Sequence, residues 1–114
     1  MAIVWEELGN ARLSQGTFEA TGNQVECGFK PKYIAVYNRV TSGVEICNIY
    51  DETLSANTIF YSYNNGSDIK VESAQSISSS TNMVGRITEV NDTGFRVSSL
   101  STSSEKTMYY FAVG

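Results

Sequence analysis

The residues in this 114-residue chain whose types could do chemistry are few. They are two adjacent acid pairs, Glu6-Glu7 and Asp51-Glu52, two cysteines, Cys27 and Cys47, and a set of turn oxygens at Asn64, Asn65, Asp68 and Asp92. Two carboxylates flanking one bond can hydrolyse a glycoside, but they must converge on it. Adjacent residues on a strand point to opposite faces, so neither pair converges there. The chain has no His, which removes Ser-His and Cys-His nucleophile pairs and most transition-metal sites. The two cysteines lack the paired spacing of a zinc site. The Asn and Asp oxygens suit calcium but not the ordered spacing of a calcium loop, and they read as turn residues. Gly9, Gly16, Gly22 and Gly28 recur at turn-like intervals rather than in a nucleotide fingerprint. These features predict a protein that is not an enzyme and holds no cofactor or metal.

Charge narrows the partners. The formal net charge is -4, from twelve acidic and eight basic residues, and the closest basic pair is Lys30 and Lys32. Binding nucleic acid requires a basic stripe that displaces counterions from phosphates, and an anionic membrane surface requires much the same. Neither partner is expected. Residues 1–7 lack the basic start and long apolar run of a secretory signal, and no segment reaches transmembrane length. The expected setting for folding is therefore a reducing cytosol, with Cys27 and Cys47 as small buried hydrophobes rather than a disulfide.

The elements that must position these residues are strands. Charged residues make up 18% of the chain, against roughly 25% in an average globular protein. Ser, Thr, Asn and Gly take their place, the composition of strands and turns. Short β-type runs occupy residues 3–8, 17–21, 25–29, 33–37, 44–50, 58–63, 68–72, 83–90, 94–100 and 107–113. Asn64-Asn65-Gly66 and Asn91-Asp92-Thr93 are hairpin turns. Residues 51–57 are the one tempting helix, and the polar stretch 73–82 reads as a long surface loop. The fold expected is all-β: a single domain over residues 1–114, a β-sandwich or jelly roll of about nine or ten short strands.

A two-layer sandwich needs only one buried face per strand. Residues 33–37, 59–63 and 108–113 are bulky and apolar on both faces, and exposed aromatic rows mark contact surfaces. The interface candidates are Trp5, Tyr33, Tyr37, Tyr61, Tyr63, Met108 and Tyr110. On the last strand two arrangements stand open: Tyr109, Phe111 and Val113 fill the core while Met108 and Tyr110 face outwards, or the reverse.

The stretch Cys27-Gly28-Phe29-Lys30-Pro31-Lys32-Tyr33-Ile34-Ala35-Val36-Tyr37-Asn38 resembles a phrase of small structural proteins of tailed bacteriophage virions. In that phrase an apolar turn leads into a strand ending in an aromatic and Asn. Thr93-Gly94-Phe95-Arg96-Val97 and the closing Met108-Tyr109-Tyr110-Phe111-Ala112-Val113-Gly114 are similar as well. The resemblance implies one β-sandwich whose last strand returns to the sheet. It also implies a virion protein acting through surfaces. The expectation is a capsid decoration (cement) protein, made in the host cytoplasm, that braces the major capsid protein shell as a homo-oligomer, with a trimer as the expected form. The alternative is a phage tail or fibre module that binds a receptor or carbohydrate, where Trp5 and exposed Tyr would stack on sugar rings.

Overall fold

The computed structural model describes residues 4–8, 11–38, 45–54, 58–64, 69–76, 85–99 and 107–114. The strands among them are β1 (Val4–Leu8), β2 (Ala11–Glu19), β3 (Gln24–Glu26), β4 (Tyr33–Asn38), β5 (Glu45–Asp51), β6 (Thr58–Asn64), β7 (Ile69–Ser76), β8 (Ile87–Asn91), β9 (Gly94–Val97) and β10 (Thr107–Val113). No helix occurs among the described residues. The chain is all-β, as the period-two patterning and frequent turn residues predict.

The strands form two antiparallel sheets. The larger runs β1-β2-β10-β4-β5-β6-β7 and the smaller β3-β9-β8. Strands β4 to β7 are a simple meander, since each turn returns the chain beside the strand just laid down. The last strand, β10, enters the middle of the large sheet and pairs with both β2 and β4. Among the described strands, those outside the large sheet are β3 and the β8–β9 pair. That layering is a sandwich of unequal sheets rather than the repeated alternation of a jelly roll.

The core lies between the sheets. Phe18, Ile34, Val36, Ile46, Ile59, Met108, Tyr110 and Ala112 from the large sheet meet Val25, Ile87, Phe95 and Val97 from the small one. Three rings lock the centre: Phe95 meets Phe18 and Tyr110 edge-on, with centroids 6.0 and 5.5 Å apart. Burying a side chain such as Phe95 contributes about 1.5–3 kcal/mol, and edge-on pairing adds a further fraction.

Two local expectations need correction, and one tempting stretch resolves as a turn. Strand β2 begins at Ala11, not at residue 17. Its inward positions include Ser14 and Gly16 rather than hydrophobes, so the alternation that announces a strand is missing there. Gly16 stands opposite Tyr110 and Ser14 hydrogen-bonds to that residue's hydroxyl. Residues 51–54 of the one stretch that tempts towards a helix are the end of β5 and a turn. The Asp51 carboxylate accepts the Thr53 N–H at 2.9 Å and the Thr53 hydroxyl at 2.8 Å, and Leu54 N bonds back to Asp51 O. This is the local side-chain competition that makes Asp a turn residue. Residues 73–76 of the expected loop belong to β7. Residues 55–57, 65–68 and 77–84, which carry the rest of that stretch, the first hairpin turn and the remainder of that loop, lie outside the described residues.

Two glycines hold the small sheet in place. Gly28 has φ +82° just after β3, a conformation that favours glycine, and its N–H and that of Cys27 both bond Thr93 O. Gly94 lies so close to β3 that a Cβ there would land on the Val25 carbonyl oxygen. The turn at 27–31 therefore grips the β8–β9 hairpin. Phe29 in turn covers Gly114, and Lys32 N bonds Val113 O. The segments around 27–38, 93–97 and 108–114 thus converge at one end of the sandwich.

Candidate functional site

Alternation places one face of the large sheet in the core and leaves the other outside. On β10, Met108, Tyr110 and Ala112 are buried, while Tyr109 and Val113 are partly exposed and Phe111 is 38% exposed. The second of the two arrangements left open by the sequence is the one found. Met108 and Tyr110, expected as interface candidates, are corrected to core residues. Their registers put them opposite Phe18 and Gly16 on β2 and opposite Asn38 and Val36 on β4, and the core requires their bulk.

The outward residues form rows across neighbouring strands. One row runs Thr17, Tyr109, Tyr37, Cys47. The next runs Gln15, Phe111, Ala35, Ile49, Phe60. A third runs Leu13, Val113, Tyr33, Asp51. Tyr37 is 48% exposed and its ring stacks on Tyr109, centroids 5.5 Å apart and 16° from parallel. Tyr33 and Tyr37 lie on this outer face. Among the outward residues whose side chains are described, charge sits at the strand ends, at Glu19 and Asp51, and Glu6 and Glu45 stand in register with Leu13 and Asn64 along the same rows. Glu19 accepts a hydrogen bond from the Thr107 hydroxyl at 3.0 Å, and the two bonds from Thr53 hold the Asp51 carboxyl below its usual range.

Trp5 pairs with Ser14 in the β1–β2 ladder, and Tyr61 and Tyr63 stand in register with Asn48 and Ile46. The side chains of these three candidates lie outside the described residues. Sequence reasoning missed Phe111, Tyr109, Phe60 and Ile49 as outer-face residues. The one signal available was polarity on β2, where Gln15 and Thr17 alternate with Phe18, but using it requires knowing that β2 pairs with β10.

Ser14 and Tyr110 share a buried hydroxyl–hydroxyl hydrogen bond of 2.8 Å. Burial pushes the Cys27 thiol up to about 11, against a smaller downward pull from its hydrogen bond with Ser14. Such a thiol is almost wholly protonated at neutral pH and a poor nucleophile. Cys27 and Cys47 are both free thiols, one in the core and one in an outward row, and burial raises the Cys47 pKa as well. Cys27 lines a cleft with Arg12, Gly28 and Phe29. Among the described residues no group of three or more His, Cys, Asp or Glu gathers as a metal site. Glu6 and Glu7 pair with Leu13 and Arg12 along β1, and their side chains lie outside the described residues.

The site that stands out is therefore a surface, a sheet face with aromatic rows at its centre and carboxylates towards its strand ends. Comparison with known proteins adds no family: no family model, no curated protein and no solved structure matches the chain.

Proposed function

We propose that this chain is a virion structural protein, a capsid decoration protein that binds the major capsid shell as a homo-oligomer and acts through surfaces rather than catalysis. The observation that carries the reading is the outer face of the large sheet, where Tyr37, Tyr109, Phe111, Ile49 and Phe60 stand in adjacent rows without a charge between them. A contiguous apolar patch on a small protein marks a binding surface. The resemblance of residues 27–38, 93–97 and 108–114 to phage virion proteins supplies the virion context. A net charge of -4 suits a protein crowded at high copy number near packaged DNA. Many weak contacts repeated by symmetry suffice to brace a shell.

The test is survival of particles under heat or osmotic shock with and without the protein, together with co-sedimentation of the purified protein with expanded shells. Greater survival of loaded particles supports the proposal, and equal survival without co-sedimentation replaces it. The receptor- or carbohydrate-binding alternative would use the same face. Tyr37 and Tyr109 turn one ring face each towards the other, which leaves less open ring surface for a sugar to stack on. Glycan-array binding lost in Tyr37→Ala would favour that alternative.

A further inference from the structure

We propose that Tyr37 and Tyr109 form an oxidative crosslinking site, at which a haem peroxidase with hydrogen peroxide joins the two rings of one chain as dityrosine. The bond does not depend on the virion role.

Placement singles out this pair. Tyr37 on β4 and Tyr109 on β10 are direct cross-strand partners. Their ring centroids lie 5.5 Å apart, with the planes 16° from parallel. Both side chains stand on the outer face of the large sheet, Tyr37 exposed and Tyr109 partly so, within reach of an oxidant in solvent. Strand side chains stand roughly perpendicular to the sheet, so the phenol ends of two cross-strand neighbours leave it side by side. Other described tyrosines lack these features. Tyr110 is buried in the core and hydrogen-bonded to Ser14, and Tyr50 packs against the core. Tyr33 shares the outer face but stands four residues before Tyr37 on β4, roughly 13 Å away along the strand. Among the described residues, Tyr37 and Tyr109 are the two tyrosines whose rings stack.

Oxidation takes one electron and the hydroxyl proton from each phenol, leaving two phenoxyl radicals with spin on the carbons beside the oxygen. One such carbon from each ring forms the new C–C bond. The hydrogens on those carbons then move to the oxygens and restore both phenols. The chain loses two hydrogen atoms in all, and one hydrogen peroxide is reduced to two waters. Contact favours coupling within the chain, because groups held together meet at an effective concentration on the order of millimolar or above, far beyond that of a second copy at micromolar protein. Cys47 stands beside Tyr37 in the same row. Its thiol can return a hydrogen atom to a phenoxyl radical, and so competes with coupling rather than assisting it. The bond ties the last strand to β4, and unlike the ladder between them it persists when the chain unfolds.

The experiment treats the whole chain at micromolar concentration with a haem peroxidase and a small excess of hydrogen peroxide. Intact-mass spectrometry and tryptic mapping read the products. The expected product is a monomer lighter by two hydrogens, in which the tryptic peptides 33–39 and 107–114 are joined through Tyr37 and Tyr109. Tyr37→Phe and Tyr109→Phe keep the ring but not the phenol, and circular dichroism and melting check that each variant folds. Each should lower the yield of joined peptide by about 10-fold or more, the advantage of the contact pair over chance encounters. Tyr33→Phe should leave it unchanged, and Cys47→Ser should leave it unchanged or raise it. Absence of the lighter monomer overturns the proposal. So does a link that survives either Phe variant at Tyr37 or Tyr109, a link that requires Tyr33 or Cys47, or a main product that joins two chains.

Discussion

Asn48, on β5 of the large sheet, accepts the backbone N–H of Ile87 at 3.2 Å and donates its amide to Gly85 O at 2.7 Å. A single buried carboxamide therefore fastens the small sheet to the large one where β8 begins. Removing it leaves an N–H and a C=O in the core without that partner, each worth about 1–3 kcal/mol when unsatisfied. Asn48→Leu, similar in volume, should lower the melting temperature by roughly 10–20 °C. A change of only a degree or two would mean that water or another group substitutes for the carboxamide.

The Ser14–Tyr110 hydroxyl pair makes a separate prediction. Tyr110→Phe keeps the ring against Phe18 and Phe95 while removing one partner of the 2.8 Å bond. The expected cost is about 1–2 kcal/mol. Ser14→Ala should cost a similar amount, and the double variant less than the two together by about 0.5 kcal/mol or more. Denaturant titration of the four proteins measures this coupling. Strict additivity would show that the bond contributes nothing to stability.

Two glycines should respond differently to the same added methyl. Gly28 has φ +82° with nothing within 4 Å of a built Cβ, so Gly28→Ala carries only the left-handed backbone penalty of about 1–2 kcal/mol. At Gly94 the methyl collides with the Val25 carbonyl, and β3 must separate from β9. Gly94→Ala should cost about 3 kcal/mol or more. Equal losses in thermal melts would show that the strand pair can move apart freely.

Alkaline pH should destabilise the fold. Burial raises the Cys27 pKa from 9.0 to about 11, so between those values the unfolded chain loses a proton that the folded chain keeps. The folded state then binds more protons, and stability falls as pH rises, by up to about 1.4 kcal/mol per pH unit from this group. Below pH 9 its contribution is constant. Tyr110, also raised by burial, adds a loss of the same sign at higher pH. Unfolding measured from pH 8 to 10.5 should show a shallower decline for Cys27→Ala than for the natural chain. Parallel declines would exonerate the thiol.

Much of the fold was legible because local chemistry and tertiary structure agree. The Asn91-Asp92-Thr93 turn sits between β8 and β9, and Phe95, Arg96 and Val97 alternate buried, exposed, buried as their types require. What was not legible depends on pairing between distant segments. Ser14 looks like a surface residue until Tyr110, 96 positions later, is placed across from it. The same gap hid the candidate surface: β10 is apolar on both faces, and only its registers with β2 and β4 decide that Phe111 is outside and Tyr110 inside. The stretch after Asp51 tempts towards a helix on composition alone, and the Asp51–Thr53 hydrogen bonds hold its start as a turn.

The position of β10 also imposes an order in time. Residues 107–113 occupy the middle of the large sheet, between strands made much earlier. While the chain is being synthesised, β2 and β4 have no neighbour on their facing edges, and the rings around Phe95 have no Tyr110 to close on. The sheet therefore cannot be completed until translation has passed residue 113 and that stretch has left the ribosome. Folding dominated by such distant pairings is slow. A nascent chain halted before this strand presents two open edges to its neighbours, which makes incomplete translation products prone to aggregate.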